Sequence, residues 1–479
     1  MTASPAVGAS SWWLADALAS EGNTRPAHPL AGDVRSDIAI VGGGFTGLWT
    51  ALALRTRRPD LSVTLIERDI CGAGASGKNA GKVHGYWTTL PRLARLLGAE
   101  RAWEMARLGA RAQAAIGAFA AQCGADVWWR EGGGLKVSAA PAQDAALDAT
   151  AQAMAALGAA RYARPVAGAE LRDFCTSPVF RKGLYFPEEA TVHAARLVRA
   201  LRAAACEAGV ALHEHTPLRG LDAGADGCRL AVPGGSLTAG RVVLATNAAQ
   251  IAQMAGLDAG IARHFMAFSS YAQMSEPMPE ALAALGWTSP VSIVDARSFL
   301  HYARTTPDGR LLMGTGSGPI AYGANVEARA MTQDPASFAR CARGVGQLFP
   351  GLKGLPVAAR WGGALDVSSD RFPFAGTARG GRVAYGLGFS GHGVNPSWIL
   401  GQCLAALALD ESDDFTRSPF CTRALPALPP EPARYFGGCA IRRAILACEE
   451  AEEHGGRGPL LARALAALPQ KLNLTIGTR

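Results

Sequence analysis

The chain has 479 residues, of which 49% are hydrophobic and 18% charged, a composition typical of folded globular proteins and not of disordered ones. Its formal net charge of +8 combines 47 basic with 39 acidic residues and no long basic run, so the charge does not indicate a nucleic-acid or membrane partner. The ten cysteines form no CxxC pair and no apolar stretch approaches the roughly 20 residues of a spanning helix, so we expect a cytoplasmic protein without a metal site or membrane span.

The first elements form a predicted β–α–β unit. Residues 1–36, which include a Trp-Trp pair and a Pro/Gly-containing stretch, are expected to be an arm on the protein surface. The apolar run 37–41 predicts a strand, and the apolar periodicity that ends at Arg58 predicts a helix. Pro59 ends that helix, and residues 61–67 predict a second strand.

The rest of the chain is predicted to alternate between helices and strands. Residues 92–160 are rich in Ala and Leu and predict helices. Shorter signals predict strands at 127–130, 135–138, 184–187, 210–213, 228–232, 241–246 and 383–386, and helices at 194–208 and 396–409. Alternation between 262 and 316 predicts several antiparallel strands, and a Pro-rich linker leads to a helical tail.

A glycine-rich turn follows the first predicted strand. Gly42, Gly44 and Gly47 form GxGxxG in VGGGFTG, where glycine lets the backbone approach a pyrophosphate and the next helix points its free N–H groups at that anion. Glu67 ends the second predicted strand, and a carboxylate there accepts hydrogen bonds from a ribose 2′-OH. The expected ligand is a non-phosphorylated adenine dinucleotide, either NAD or FAD.

Four further segments resemble one known family. GAGASGKNAG (72–81) is similar to the GASGRNxG segment of the D-amino-acid oxidase-like flavoprotein superfamily, and LATNA (244–248) resembles its return strand. WGGALDVSSDRFPFAG (361–376) and YGLGFSGHGVN (385–395) resemble its two C-terminal blocks. The resemblance spans about nine-tenths of the chain, looks closest to the γ-glutamylputrescine oxidase-like branch and favours FAD over NAD.

The late glycine block also has a physical rationale. Gly391 and Gly393 allow close backbone approach, and a predicted helix begins after them. Its positive end would face the N1–C2=O edge of a flavin, where negative charge collects on reduction. Stabilising that charge raises the oxidising power of the flavin.

The resemblance implies a set of cofactor contacts. The pyrophosphate would lie at the glycine turn, the ribose beside the second strand, and the ring between the 72–82 segment and the late block. The implied contacts are Gly42, Gly44, Phe45, Thr46, Gly47, Glu67, Arg68, Gly74, Ala75, Ser76, Asn79, Ala80, Gly81, Lys82, Leu218, Gly388, Ser390, Gly391, His392, Gly393, Val394 and Asn395. Covalent attachment through Cys71 or His84 stays open beside non-covalent binding.

The implied fold is α/β (α+β, two-lobed), a Rossmann-like FAD-binding domain interleaved with an antiparallel-sheet substrate domain. The expected FAD-binding domain comprises 37–100, 180–260 and 345–415, and the expected substrate domain comprises 101–179 and 261–344. Residues 1–36 are the N-terminal arm, and 416–479 are a linker and C-terminal helical tail.

The implied reaction is oxidation of a small amine or N-substituted amino acid. A hydride would pass to flavin N5, giving an imine that hydrolyses to an aldehyde or keto product plus amine or ammonia, with oxygen or another carrier as electron acceptor. The alternative is an FAD-dependent dehydrogenase for a hydroxy acid or a biosynthetic intermediate with a non-oxygen acceptor. A non-catalytic FAD module and an NAD-dependent dehydrogenase are the remaining hypotheses.

Five residues are candidates for the substrate side. They are Lys82 and His84 just after the flavin segment, Tyr302 and Arg304 on one face of a predicted strand, and Asn395. Asn395 stands where monomeric sarcosine oxidases have a lysine that holds the substrate carboxylate. No Lys lies between 183 and 352 to match their oxygen-promoting lysine, which leaves the acceptor open. The tryptophans at 12, 13, 128 and 129 are expected to be packing residues rather than an amine cage.

Overall fold

A computed structural model describes residues 6–7, 10–22, 27–224, 227–247, 249, 258 and 260–471. In chain order the strands are β1 (Ala6–Val7), β2 (Gly32–Val41), β3 (Val63–Ile66), β4 (Lys82–Val83), β5 (Arg130–Glu131), β6 (Gly134–Ser138), β7 (Arg164–Ala167), β8 (Lys182–Phe186), β9 (Ala190–Thr191), β10 (Ala211–His213), β11 (Gly220–Gly224), β12 (Gly227–Val232), β13 (Gly235–Leu244), β14 (Phe265–Ser275), β15 (Ser292–Asp295), β16 (His301–Thr305), β17 (Leu311–Thr315), β18 (Val357–Ser368), β19 (Phe374–Ala378) and β20 (Val383–Leu387). The α-helices are α1 (Trp12–Ser20), α2 (Phe45–Arg57), α3 (Leu90–Leu97), α4 (Ala99–Gln122), α5 (Pro141–Ala156), α6 (Ala169–Arg172), α7 (Ala194–Glu207), α8 (Pro279–Ala284), α9 (Pro335–Leu348), α10 (Val394–Leu409), α11 (Asp414–Arg417), α12 (Pro419–Thr422), α13 (Ala433–Glu453) and α14 (Leu460–Lys471).

An eight-stranded sheet carries the predicted β–α–β unit. Its order is β10-β3-β2-β13-β12-β11, and β20 pairs with both β13 and β19. Strands β10, β3, β2, β13 and β20 run parallel, which puts their carboxyl ends at one edge of the sheet. Helices α2 and α10 pack closely against each other, since a Cβ added to Gly401 would come 2.6 Å from the Trp49 Cβ. This Rossmann-like arrangement confirms the predicted nucleotide-binding fold.

Strand β2 begins five residues before its predicted start. Its burial changes from mostly exposed residues at Gly32–Ser36 to buried ones at Ile38–Val41. The exposed half pairs with β13 but contains polar residues, so apolar patterning could not detect it. The late helix begins at Val394 rather than 396 because Pro396 is tolerated in the first turn of a helix.

A nine-stranded sheet forms the second lobe. Its order is β1-β18-β14-β17-β16-β15-β6-β8-β7, antiparallel except for the β1–β18 and β15–β6 pairs. Strand β14 is buried along nearly its whole length, which shows that both faces of this sheet are covered. Strands β8 and β18 belong to it although they lie in segments assigned to the FAD-binding domain, so the exact domain boundaries stay a prediction.

Helix α1 of the N-terminal arm is packed into the protein, which corrects the expectation that the arm lies on the protein surface. The Ser11 hydroxyl caps α1 by accepting a hydrogen bond from the Leu14 N–H at 3.0 Å, and Trp13 is fully buried. The rings of Trp12, Trp13 and Trp128 surround the imidazole of His193, with centroid distances of 6.0, 4.5 and 4.9 Å. Helix α1 of the arm is therefore part of the packed core between the two lobes.

No helix within the described segments is both long enough and apolar enough to cross a lipid bilayer.

Trp13→Ala is expected to lower the free energy of unfolding by about 3–5 kcal/mol, because a fully buried indole leaves a large cavity. Trp12→Ala, on the half-buried side of the same helix, is the matched control and is expected to cost no more than about half of that. Urea denaturation followed by tryptophan fluorescence checks both. Equal losses in the two variants would contradict the packing described for the arm.

Candidate active site

The glycine turn between β2 and α2 requires glycine for steric reasons. Gly42 has a φ of 113°, and a Cβ there would come 2.6 Å from the Ala245 carbonyl oxygen. A Cβ at Gly47 would overlap the carbonyl oxygen of Gly42. Since a side chain at either position would force the turn open, the sequence fixes the tight approach of α2 to the strand ends.

The N-terminus of α2 faces a cavity. Gly44 precedes the helix without a side-chain cap of its own, and the Phe45 N–H donates instead to the Ser76 hydroxyl at 2.9 Å. Gly44, Phe45 and Thr46 all line the cavity. Because the first N–H groups of a helix lack intrahelical partners, the positive end of α2 is directed at whatever occupies this space.

Glu67 holds the turn from the other side. Its carboxylate accepts hydrogen bonds from the Gly43 N–H at 2.7 Å and the Asp69 N–H at 3.0 Å. Burial raises the pKa of Glu67, against these two hydrogen bonds. Arg68 beside it forms an exposed ion pair with Glu327 at 2.5 Å. The contact of Glu67 with a ribose stays a prediction, but the carboxylate lies at the cavity wall where that contact requires it.

The segment after β3 wraps around the next part of the cavity. The Asn79 amide donates to the carbonyl oxygens of Ala75 and Ser76 at 3.1 and 2.8 Å, and its oxygen accepts from the Gly81 N–H at 2.8 Å. One side chain therefore closes the loop on itself. Arg304 supports the loop from behind, since its guanidinium donates to the Gly81 carbonyl at 3.2 Å.

The late glycine block closes the opposite wall. The Gly388 N–H donates to the Asp366 carboxylate at 2.5 Å, and the Ser390 N–H donates to the Asp366 carbonyl at 2.8 Å. Ser390 and Gly391 have φ values of 54° and 84°, which turns the chain sharply before α10 begins. The first residues of α10 also line the cavity, so a second helix N-terminus faces it.

The two walls bound a single cavity of about 840 Å³. Eighteen of the predicted cofactor contacts line it: Gly42, Gly44, Phe45, Thr46, Glu67, Arg68, Gly74, Ala75, Ser76, Asn79, Ala80, Lys82, Leu218, Ser390, Gly391, His392, Gly393 and Val394. Gly47, Gly81, Gly388 and Asn395 lie behind the lining. Residues 244–247 of the predicted return strand are described and Ala248 lies outside the described residues, while Ala245 and Thr246 contribute to the lining.

Three of the five substrate-side candidates line the cavity. The Lys82 ammonium lies 3.4 Å from the buried Glu189 carboxylate, and the Tyr302 hydroxyl lies 2.9 Å from the Ser270 hydroxyl. His84 packs edge-on against His392 with ring centroids 5.2 Å apart. All of these residues except Glu189 contribute to the lining.

Arg304 and Asn395 lie elsewhere. The Arg304 guanidinium donates to the Val192 carbonyl at 2.7 Å and lies over the Trp13 ring at 5.4 Å. The Asn395 amide donates to the carbonyl oxygen of Gly109 on α4 at 2.9 Å. Neither side chain lines the cavity, so a direct role for them in catalysis stays a prediction that this placement does not favour.

Burial sets the charge state of the ionisable groups in this cavity. It lowers the pKa of His84, and it lowers the pKa of His392 further, with the charges of His84, Arg371 and Lys82 adding to the effect at His392. It raises the pKa of Asp366 to about 7 against the hydrogen bond from Gly388. It lowers the pKa of Arg371 to about 9, with the Arg92 charge contributing. Both histidines are therefore neutral at neutral pH, whereas Asp366 titrates there.

Sequence reasoning missed several lining residues. Asp366 and Arg371 lie inside the 361–376 block, and the charged Asp366 between the apolar Leu365 and Val367 was a usable signal. Ser298, Phe299 and Leu300 line the cavity from the loop before β16. That loop carries no motif, and only the fold brings it to the site.

The residues present suit a flavin dinucleotide. The positive end of α2 matches a pyrophosphate, and the lining runs without interruption from there to His84, Tyr302 and the late glycine block. A Cβ at Gly44 would come 2.9 Å from the Ser76 hydroxyl, so glycine keeps the phosphate end of the cavity open. The volume is in the range of cofactor sites.

Comparisons with known proteins agree with this reading of the cavity. The model of the FAD dependent oxidoreductase (DAO) family matches residues 37–407. The chain is 28% identical over 431 residues to the probable oxidoreductase OrdL of Rhizobium meliloti (strain 1021), covering 88% of this chain and 92% of that protein. It is 26% identical over 401 residues to the gamma-glutamylputrescine oxidoreductase of Escherichia coli (strain K12), covering 83% and 89%.

Solved structures share the fold. Glycine oxidase from Geobacillus kaustophilus superposes with a TM-score of 0.68 at 22% identity, covering 82% of this chain and all of that one. L-proline dehydrogenase from P. horikoshii gives a TM-score of 0.65 at 18% identity, covering 81% and 98%. The predicted superfamily resemblance, fold class and cofactor are thereby confirmed.

Gly47→Ala is expected to weaken FAD binding by at least about 100-fold, because the added Cβ overlaps the Gly42 carbonyl and pushes α2 away from the pyrophosphate. Gly351→Ala, at an exposed glycine with no atom within 4 Å of the added Cβ, is the control and should bind normally. Titration of deflavinated protein with FAD, followed by flavin fluorescence, gives both dissociation constants. Normal binding by Gly47→Ala would contradict the placement of the pyrophosphate.

Asp366→Asn is expected to flatten the pH dependence of FAD affinity. Because the folded pKa of Asp366 is about 7, the carboxyl is neutral at lower pH and, as the pH rises, adds a negative charge to the cavity that would bind the anionic cofactor. The wild-type dissociation constant should therefore increase by up to about tenfold between about pH 6 and pH 8. The amide in Asp366→Asn keeps an acceptor for the Gly388 N–H and cannot ionise, so the FAD dissociation constant of this variant should not change over the same pH range. An equal pH dependence of the dissociation constant in the wild type and the variant would refute the assignment.

Proposed function

The chain belongs to the FAD dependent oxidoreductase (DAO) family, and from that premise we propose that it oxidises a small amine or N-substituted amino acid at the carbon beside the nitrogen. Bound FAD would accept the hydride at N5, and hydrolysis of the resulting imine would release an aldehyde or keto product plus amine or ammonia. The observation that carries this proposal is the pair of neutral imidazoles, His84 and His392, in the cavity wall.

Both imidazoles are held in one tautomer. Nδ1 of His84 lies 3.2 Å from the Gly85 carbonyl oxygen, and Nδ1 of His392 lies 3.0 Å from the Ser390 carbonyl oxygen. Since a carbonyl oxygen can only accept, each Nδ1 carries the proton and donates. Each Nε2 is then left as a hydrogen-bond acceptor, which suits an amine N–H and offers nothing to a carboxylate.

The remaining polar groups support a substrate that is bound as an amine. The Lys82 charge is balanced by Glu189 at 3.4 Å, and the Tyr302 hydroxyl forms a hydrogen bond with Ser270. The buried neutral histidines offer no positive charge to a substrate carboxylate. Arg371 also lines the cavity and donates to the Ser390 carbonyl oxygen at 3.4 Å, and its guanidinium charge would suit the carboxylate of an N-substituted amino acid.

The names of two similar proteins support the same class. One relative is named for gamma-glutamylputrescine and one structural neighbour for glycine, and both names denote compounds with an amine nitrogen. We further propose that this protein works in the cytoplasm, which ten cysteines free of disulfides suit. Its electron acceptor is oxygen or another carrier.

Anaerobic mixing of the yellow protein with a substrate panel tests the proposal. The panel consists of polyamines, N-acylated diamines, N-methyl amino acids and 2-hydroxy acids. At least one amine is expected to bleach the flavin absorbance, with a faster rate at a pH that leaves more of the amine deprotonated, because only the neutral amine can release a hydride. Bleaching by hydroxy acids and by no amine would instead support the dehydrogenase alternative.

Two histidine variants form a matched pair for this test. His84→Leu, which removes an acceptor, is expected to slow flavin reduction by the active amine roughly tenfold or more at unchanged FAD content. His454→Leu, at an exposed histidine far along the chain, is expected to reduce at the normal rate. Full activity in His84→Leu would remove the observation on which the amine assignment depends.

A further inference from the structure

Helix α13 presents one inward stripe to the nine-stranded sheet. Gly438, Arg442, Ile445 and Glu449 are spaced four, three and four residues apart, so they share one face of the helix. Gly438, Ile445 and Glu449 are buried. A Cβ at Gly438 would come 3.1 Å from the side chains of Ile320 and Met266, which shows how closely the helix approaches the sheet.

The stripe touches the wall of the active-site cavity at two points. Arg442 donates through Nε and Nη2 to the Ser317 carbonyl oxygen at 2.9 and 2.6 Å, next to the lining residue Gly316. Two helical turns later, the Glu449 carboxylate accepts a hydrogen bond from the Phe299 N–H at 3.0 Å. Phe299 itself lines the cavity.

The loop that contains Phe299, here called the wall loop (residues 296–300), is held by further charges. Arg297 contacts Asp295 at 2.5 Å and Glu453 of α13 at 3.0 Å. The same Asp295 carboxylate accepts from the His301 N–H at 3.0 Å. Since Asp295 and Arg297 are almost completely buried, their charges have to be compensated inside the protein, and α13 supplies part of that compensation through Glu453.

The helix lies outside the segment that the family model matches, which ends at residue 407. The family match therefore covers the cofactor walls, while part of the support of the wall loop comes from a segment of the chain beyond it. Three consecutive loop residues, Ser298, Phe299 and Leu300, contribute to the lining just before Tyr302. Any displacement of the loop changes the space beside the substrate-side groups.

We propose that α13 fixes the wall loop through Glu449 and Glu453 and thereby sets the affinity of the enzyme for its substrate, with Glu449 as the positioning residue. This inference rests on the proposed function insofar as the wall loop borders the substrate end of the cavity. Glu449 does not itself line the cavity. Its effect is expected on substrate binding and not on the chemical step.

The test uses holoenzyme carrying Glu449→Ala, Glu449→Gln or the control Glu450→Ala, whose side chain lies on the exposed face of the same helix. Loss of the acceptor in Glu449→Ala is expected to raise KM for the reducing amine about tenfold and to leave the limiting rate of flavin reduction within about twofold. Glu449→Gln retains a carbonyl acceptor for the Phe299 N–H and should restore most of the affinity. Glu450→Ala should match the wild type.

Amide hydrogen exchange of the wall loop provides a second readout that needs no substrate. In the resting holoenzyme, exchange of residues 296–300 should accelerate at least about tenfold in Glu449→Ala and not in Glu450→Ala. This readout separates the two proposals, because a failed substrate panel leaves the exchange prediction standing. Unchanged exchange together with unchanged KM would overturn the inference.

A purely structural role has a different signature. It would lower FAD content, limiting rate and affinity together, without rescue by Glu449→Gln, and that result would also overturn the inference. Should Glu449→Ala fail to fold, Glu453→Gln replaces it, because that carboxylate is partly exposed and carries the Arg297 contact. Glu453→Gln is expected to raise KM less than Glu449→Ala does and to accelerate amide exchange of the wall loop. No change in KM or in amide exchange would count against the proposal.

Discussion

The positive N-terminal end of helix α2 has to stay accessible to an anion and free of obstructing side chains. The rest of the structure depends on how this is achieved. The Phe45 N–H is satisfied by the Ser76 hydroxyl, whose loop is closed by Asn79 and supported by Arg304 from the other lobe. A continuous series of hydrogen bonds thus connects the parallel sheet to the antiparallel one. The cavity lies along this connection, so the position of the cofactor and the position of the substrate walls are set together.

The same arrangement explains why the cavity is polar but nearly neutral. Its histidines are held uncharged by burial, Lys82 is balanced by a buried carboxylate, and Asp366 titrates close to neutrality. The two helix ends add positive partial charges where a pyrophosphate and a reduced flavin ring would carry negative charge. The substrate end is left with hydrogen-bond acceptors and aromatic surface, which is a suitable environment for an uncharged amine.

The nucleotide-binding half was predictable from sequence because a turn that sterically requires glycine appears in the sequence as glycines at a characteristic spacing. Gly47 has to be glycine because of the Gly42 carbonyl oxygen within the same β–α–β unit, so its spacing was informative, whereas the clash at Gly42 is with the Ala245 carbonyl oxygen just after β13. The substrate-binding half was harder to predict from sequence, as Tyr302 and Arg304 illustrate. Both side chains share one face of β16, but residues two apart on a strand lie about 7 Å from each other. Only Tyr302 reaches the cavity, while Arg304 falls behind the loop that it supports.

Asn395 and the wall loop show a second limit. A motif position fixes the backbone of the late block, but the direction of the Asn395 side chain is decided by its contact with α4, almost 300 residues earlier in the chain. The wall loop is held by the C-terminal helix α13 through single charged contacts. Contacts of this kind depend on the packing of distant elements and leave no periodic pattern in the sequence.

A crystal structure of the purified yellow protein with its cofactor tests the central claim most directly. The account predicts one FAD per chain, with its pyrophosphate at the N-terminus of α2 and its ring between the 72–84 segment and the late glycine block. Density for a dinucleotide outside this cavity, or a ring that lies away from His84 and His392, would contradict it.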